Sequence, residues 1–381
     1  MKVLILGGDG YLGWPTAMHL SAAGHEVGLA DNYLRRNLCR EEDVEPLFAV
    51  PNLNERVKRW GRVSGCGLAV FIGDLIHWEF ISHVFETFRP EAVIHYAEQP
   101  SAPHSMLNRR AAMLTLTNNL TVTANVIFAI KQFSPDSHLI KLGTMGEYGT
   151  PDIDIEEGWL DVAHKGRRQT FLYPRQASSL YHTTKIMDTD LLWFYVRTWK
   201  LRVTDLMQGP VYGLVTETNR GYPELYPFFN YDELFGTVIN RFIVQAAGGY
   251  PLTVYGKGGQ TRGYLDLRDT LQCIELSLNH PASSGELRIF NQFVELFAVN
   301  GLAERIRTVG KSIGLKVDIR SVANPRIEQE EHYYRPASTA LLELGLQPHY
   351  LSDAVLVEMM EIILRHKDAI DAHKIFRGVK W

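Results

Sequence analysis

Along the first half of the chain, short apolar runs alternate with longer amphipathic stretches, the pattern left by a parallel sheet covered with helices. KVLILG (2–7), EVGLAD (26–31), LAVFIGD (68–74), AVIHYA (92–97), HLIKLG (138–143) and RVTDLMQG (202–209) are predicted strands. The spacing between them predicts helices, two of them long, over 111–133 and 178–200. Helices of that size either cover their own sheet or serve a dimer interface. After about residue 209 the alternation gives way to aromatic- and proline-rich loops such as RGYPELYPFFNYDELFG (220–236). The expected architecture is α/β: a Rossmann-type doubly wound parallel sheet over 1–210, then a smaller α/β substrate-binding domain over 211–381, with part of 235–275 returning to the first.

Composition narrows the function classes. With 381 residues, 45% hydrophobic and 22% charged, the chain can bury one large core or two modest ones. A formal net charge of -4 with 14 His argues against nucleic acid as a partner, which calls for a dense basic face. Cys39, Cys66 and Cys273 are too scattered for a disulfide framework or a metal knuckle, so no metal is expected and a reducing cytoplasm is. The N-terminus enters an apolar run at once, without a cleavable signal pattern. No segment approaches the ~18 continuous apolar residues of a membrane span. The expectation is a cytoplasmic enzyme with no membrane partner.

Two motifs carry the candidate chemistry. In GGDGYLG, Gly7, Gly10 and Gly13 stand between a predicted strand and a predicted helix. Side-chain-free positions there permit a tight turn, close approach of a pyrophosphate, and helix packing with the N-terminal amides facing the phosphates. Asp31 ends the second strand roughly 20 residues on, where a carboxylate accepts the ribose hydroxyls of NAD and repels a 2′-phosphate. Arg35 and Arg36 are the residues that would instead favour NADP. Asp74, closing the third strand, suits the adenine amine or, equally, a helix N-cap. The second motif is YHTTK, with Tyr181 and Lys185 four apart on one helical face. A cation beside a phenol favours phenolate, lowering its pKa from ~10. Such a Tyr can take the proton of an alcohol while nicotinamide takes the hydride. With Thr144 at the end of an intervening strand, this is the layout of the extended short-chain dehydrogenase/reductases acting on nucleotide sugars, to which the chain is similar.

Within that superfamily the chain resembles the UDP-sulfoquinovose synthases of sulfolipid biosynthesis nearly end to end. The resemblance rests on GGDGYLGW, DNYLRR, KLGTMGEYGTPDIDIEEG, YPRQASSLYHTTK, YDELFGTVINRFIVQAAGGYPLTVYGKGGQTRGYLDLRD, FNQF, NPRIEQEEHYY and LGLQPHYLSDA. It implies an enzyme that oxidises UDP-glucose at C4 with NAD, eliminates water across C5–C6, adds sulfite at C6 and re-reduces C4. Tyr181, Lys185 and Thr144 would serve the oxidation. The resemblance also implies Tyr11, Leu12, Asn32, Arg35, Leu75, Tyr96, Glu98 and Asn118 as further cofactor contacts. Gln99, Gln208, Tyr255, Gln260, Arg262 and Arg326 would be substrate contacts. Family members often dimerise through a four-helix bundle, so a homodimer is expected.

Three departures sharpen the question of mechanism. Ordinary nucleotide-sugar dehydratases carry Asp-Glu directly after the Thr, but here Met145 and Gly146 stand there. Glu147 and His182 are therefore assigned as the replacement proton carriers. Pro100 replaces a family arginine that would attract sulfite, with Gln99, Gln260 and Arg175 as compensating groups, and Met207 replaces a family Asn. These changes keep open a 4-epimerase or a 5,6-dehydratase without sulfite addition. A dinucleotide-binding regulator without catalysis typically lacks the Tyr-Lys pair, which is present here.

Overall fold

The computed structural model describes residues 1–325 and 332–378. Seven strands form the main sheet: β1 (Lys2–Leu6), β2 (Glu26–Asp31), β3 (Leu68–Ile72), β4 (Ala92–His95), β5 (His138–Thr144), β8 (Arg202–Gln208) and β12 (Leu287–Gln292). The chain between β5 and β8 folds as a hairpin, β6 (Trp159–His164) and β7 (Arg167–Leu172). The main sheet runs β3-β2-β1-β4-β5-β8-β12, parallel throughout. Its order reverses between β1 and β4, and ligands of doubly wound sheets bind at that crevice beyond the strand carboxyl ends.

Strand alternation splits the core cleanly. Val3 and Ile5 point to the face covered by Trp14, Met18 and Trp60, while Leu4 and Leu6 point to the face covered by Phe85, Val126 and Leu192. All these side chains are at most 3% exposed. The helix Arg109–Phe133 starts at Asn108, whose side chain accepts the Ala111 amide at 3.0 Å. Contrary to expectation, this stretch is long and apolar enough to span a membrane by length and composition. Here Val122, Val126, Ile127 and Ile130 spend that apolar character on the sheet.

The second unit carries a three-stranded sheet, β9 (Val211–Tyr212), β11 (Thr261–Asp266) and β13 (Glu295–Ala298), and a pair, β10 (Leu252–Tyr255) with β14 (Ile319–Val322). Its own core gathers Phe242, Ile243, Leu302, Ile306, Leu356 and Met360 around the helices Val238–Gly248, Val299–Ser312 and Asp353–Leu364. The segment that returns to the first domain begins inside the expected 235–275 and runs beyond it. It consists of the helix Leu267–Asn279, whose Cys273 and Ile274 join the first-domain core, and β12 at the sheet edge. Residues 238–266 stay in the second unit, because the apolar face of Val238–Gly248 is buried there.

Candidate active site

A cavity of about 890 Å³ opens at the β1–β4 crevice and continues beneath the second unit. On its wall lie Gly7, Gly10, Tyr11, Leu12, Gly13, Asp31, Asn32, Arg35, Asp74, Leu75, Tyr96, Glu98, Asn118, Thr144, Tyr181, His182, Gln208, Tyr255, Gln260 and Arg262. Lys185 stands immediately behind the wall. Glu147 and Gln99 do not line it, and Arg326 falls outside the described residues.

At one end the glycine loop follows β1 directly. Gly7 holds φ +88°, and a Cβ on Gly13 would fall on the Gly7 carbonyl, so the helix Gly13–Ala22 starts in contact with the strand. Gly10 presents bare backbone to the cavity, and no side chain caps the helix, leaving first-turn amides for an anion. The Asp31 carboxylate is held by the amides of Asp9 (2.9 Å) and Tyr33 (2.7 Å). These residues fit NAD: pyrophosphate over the glycine backbone, ribose hydroxyls on Asp31. The arginines do not favour a 2′-phosphate. Arg36 forks onto Asp9 at 2.5 and 2.8 Å and also donates to the Val50 and Pro51 carbonyls. Arg35 stacks 3.8 Å over the Phe235 ring and donates to Asn230 at 3.0 Å. Buried Arg56, which no sequence signal marked, completes the clamp on Asp9 at 2.9 Å. Asp74 is not a helix N-cap; it accepts the Ile76 amide at 3.1 Å, and His77 occupies the cap position of Trp78–Phe88.

Burial, and secondarily the neighbouring Asp9, push the Asp31 carboxyl up to about 6. Ribose hydroxyls donate more strongly to the ionised form than to the neutral one, so acidification weakens the acceptor. NAD affinity is expected to weaken as pH falls through about 6, by roughly tenfold in all, as read by calorimetric titration across that range. Asp31→Asn should flatten that dependence.

At the other end, Ser179 caps the helix Leu180–Trp199 by accepting the His182 amide at 3.2 Å, which sets Tyr181 and Lys185 in its first turns facing the crevice. The Tyr181 hydroxyl makes no hydrogen bond among the described residues. Its phenol is not lowered, as the sequence suggested, but raised far above the usual range, by burial first and then by the Glu98 carboxylate. Lys185 itself is paired away from the phenol: its ammonium pairs with Glu98 and donates to the Leu142 carbonyl. Thr144 caps a 3-10 turn, Met145–Glu147, its hydroxyl accepting the Gly146 amide at 3.2 Å.

Glu147 corrects the sequence reading. Fully buried, it accepts the Thr144 amide (3.3 Å) and the Thr189 hydroxyl (3.2 Å) and meets Lys141 (3.4 Å) and Arg175 (3.7 Å). In this geometry it braces the turn from behind and does not face substrate space. His182 does. Its imidazole occupies the volume where a Gly146 side chain would begin, with Nδ1 at 3.1 Å from Ser179 Oγ and its ring 5.2 Å from that of Tyr181. The residue type at 146 and the imidazole are thus one feature: glycine leaves room that histidine fills.

Two compensating groups are also corrected. The Gln99 amide is spent on Thr115 (2.7 Å), Ser101 O (3.1 Å) and Ser101 N (2.5 Å). Arg175 is turned to Glu147 and Asp190, behind the turn. Met207 lies in the sheet core at 0% exposed, so its departure from the family Asn does not alter the cavity wall. Pro100 does line the wall. So does Gln260, whose two amide atoms are buried without a partner among the described residues, an arrangement that suits a polar ligand. Arg262 lies 3.0 Å from His332, and Tyr255 donates to Glu233 at 3.2 Å. Arg241, missed in the sequence, is a further cation on this wall, 5.4 Å from the Tyr255 ring and 3.7 Å from Glu233.

Comparison with known proteins agrees with this geometry. Residues 3–291 match the model of the NAD dependent epimerase/dehydratase family. The chain is 48% identical over 380 residues to the chloroplastic UDP-sulfoquinovose synthase of Spinacia oleracea, spanning 100% of this chain and 79% of that one. It is 41% identical over 385 residues to the UDP-sulfoquinovose synthase of Sulfolobus acidocaldarius, spanning 100% and 98%. Among solved structures, the UDP-glucose 4-epimerase of Bifidobacterium longum, in complex with NAD+ and UDP, shares the fold at a TM-score of 0.72 and 17% identity over 97% of this chain and 99% of that one. With a full-length likeness of this kind laid over a glycine loop, an Asp31 acceptor and a Thr-Tyr-Lys constellation, the chain belongs to the NAD dependent epimerase/dehydratase family and, within it, to the UDP-sulfoquinovose synthases.

Proposed function

We propose that the chain makes a sulfonated sugar nucleotide from UDP-glucose and sulfite by transient oxidation at C4. Bound NAD supplies the reversible hydride exchange at C4. The protein's own residues handle protons and position. Tyr181 takes the C4 hydroxyl proton, and Thr144 hydrogen-bonds the C4 oxygen as charge develops on it. The resulting ketone acidifies C5. His182, on the wall beside Tyr181, carries the proton traffic of the elimination across C5–C6, and sulfite adds to the exposed C6 of the alkene. Gln260 and Arg262 hold the nucleotide sugar from the far wall.

The observation that carries this reading is the imidazole of His182 standing where Gly146 leaves room, at a position where a dehydratase would keep a carboxylate. The test is incubation of the NAD-loaded protein with UDP-glucose, with and without sulfite, followed by mass spectrometry. A sulfonated sugar nucleotide formed only with sulfite is expected; unchanged sugar or UDP-galactose alone would reject the synthase and leave the epimerase. His182→Ala is expected to cut sulfonated product about 10²-fold or more while the burst of reduced dinucleotide from C4 oxidation persists. Equal loss of both would assign His182 to packing.

We further propose a homodimer through the outer faces of Arg109–Phe133 and Leu180–Trp199, where Met113, Phe128, Met187 and Phe194 are exposed. The three cysteines, all free, accord with a reducing cytoplasm.

A further inference from the structure

Behind the cavity wall lies a cluster of buried ionisable groups that the reaction scheme above leaves without a task. From β4 comes His95, from the segment just after it Glu98, from β5 Lys141, from the turn Glu147, from the helix Leu180–Trp199 Lys185 and Asp188, and from β8 Asp205. Lys141 is shared between Glu147 and Asp205 at 3.4 Å each. Arg175 faces Glu147. Lys185, one of the three cations, is taken by Glu98, with both side chains 3% exposed. His95 stays neutral, its imidazole lowered to about 4 by burial, and its Nε2 sits 3.2 Å from Thr123. The Asp188 carboxyl is raised well above the carboxylate range by burial and then by Glu98. Three cations, Lys141, Arg175 and Lys185, then face the four carboxyl groups Glu98, Glu147, Asp188 and Asp205, and the only one of those four on the cavity wall is Glu98.

We propose that Glu98 is a positioning residue for the Tyr181–Lys185 pair: it holds the Lys185 ammonium in an ion pair until the nicotinamide ribose competes for that ammonium, so that the phenol is activated only when the dinucleotide is seated. This inference rests on the oxidation at C4 proposed above. Three observations support it. Glu98 is the nearest charged partner of Lys185, and its second oxygen, Oε2, is buried without a hydrogen-bond partner among the described residues. That spare acceptor gives the carboxylate somewhere to turn when a ribose hydroxyl enters. Glu98 is also the largest charged influence opposing phenolate at Tyr181, ahead of Glu147 and Asp188, while Lys141 acts the other way. Finally, Glu98 sits just past the end of β4, at the sheet's switch point, where a bound dinucleotide passes.

The ionisation of Tyr181 can be read without any sugar substrate, as the tyrosinate absorbance of the protein minus that of Tyr181→Phe. In the wild type, loading with NAD is expected to move this titration to lower pH. Glu98→Gln should move it down by about one pH unit or more even without NAD, because a like charge is removed and the ammonium is released. Glu98→Asp, which keeps the charge, should stay near the wild-type titration. An NAD-independent wild-type titration, or equal shifts in Gln and Asp variants, would overturn the proposal, and the first of these needs no variant to fold. If the protein fails to turn over UDP-glucose but its titration responds to NAD and to Glu98→Gln as stated, the substrate reading falls and the role of Glu98 stands.

Discussion

Tyr181→Phe is expected to lower turnover of UDP-glucose by about 10²–10⁴-fold, a barrier increase of roughly 3–5 kcal/mol, with NAD affinity and thermal stability unchanged. The argument is local. The hydroxyl has no hydrogen-bond partner among the described residues, so its removal leaves no polar group stranded, and the ring keeps its place on the helix. What disappears is the hydroxyl that takes the proton from the secondary alcohol beside Thr144. Rapid mixing with UDP-glucose while following reduced dinucleotide would check this directly; an undiminished burst would remove Tyr181 from the chemistry.

The second large effect concerns stability. Lys141→Met should cost about 3–5 kcal/mol, because it strands Glu147 and Asp205 in the interior without their shared cation. The sign with pH follows from which form is trapped. Burial, opposed by Lys141, already raises the Glu147 carboxyl, and loss of the ammonium raises it further. A carboxyl whose folded pKa lies above its unfolded one contributes stability below the unfolded value and loses it as pH rises through the folded one. The deficit of the variant against wild type should therefore shrink on acidification and be widest near neutral pH, as read from denaturant unfolding at several pH values. Adding Glu147→Gln to Lys141→Met should recover part of the loss at neutral pH. A deficit independent of pH would mean that Lys141 matters for volume, not charge.

The parts of the molecule legible in the sequence are those where one residue type serves one purpose. The strands β1, β2, β4, β5 and β8 read directly as apolar runs because both faces of a parallel sheet are covered. Gly7 and Gly13 read as a fingerprint because only glycine meets the steric demand at those positions. The hairpin β6–β7 did not read as strands: Arg167–Leu172 is exposed along nearly its whole length, so no apolar face marked it. β12 was missed because its partner β8 lies about 80 residues earlier, across the second unit, and nothing local announces the return.

The site shows the same division at finer scale. Spacing placed Tyr181 and Lys185 together, but not the counter-ion, since Glu98 arrives from the segment after β4, far away in sequence. Glu147 was assigned by elimination as the sole carboxylate of its segment, yet a single 3-10 turn rotates it away from the cavity and into the capping box of Thr144. Met207 looked consequential until the strand pleat put its side chain on the far face from Gln208. Which side of the wall a residue occupies is a matter of one step along the backbone, and composition does not record it.

A side chain at position 146 would start well inside contact distance of the His182 ring, so it can enter only if the imidazole moves. A route from this active site to one with a carboxylate after the threonine therefore passes through a displaced imidazole. Gly146→Glu alone must swing the His182 ring aside, and His182→Ala alone opens a hole and forfeits a proton carrier. The two positions are thus coupled, and a designer wishing to cross between the two chemistries would do best to change both together.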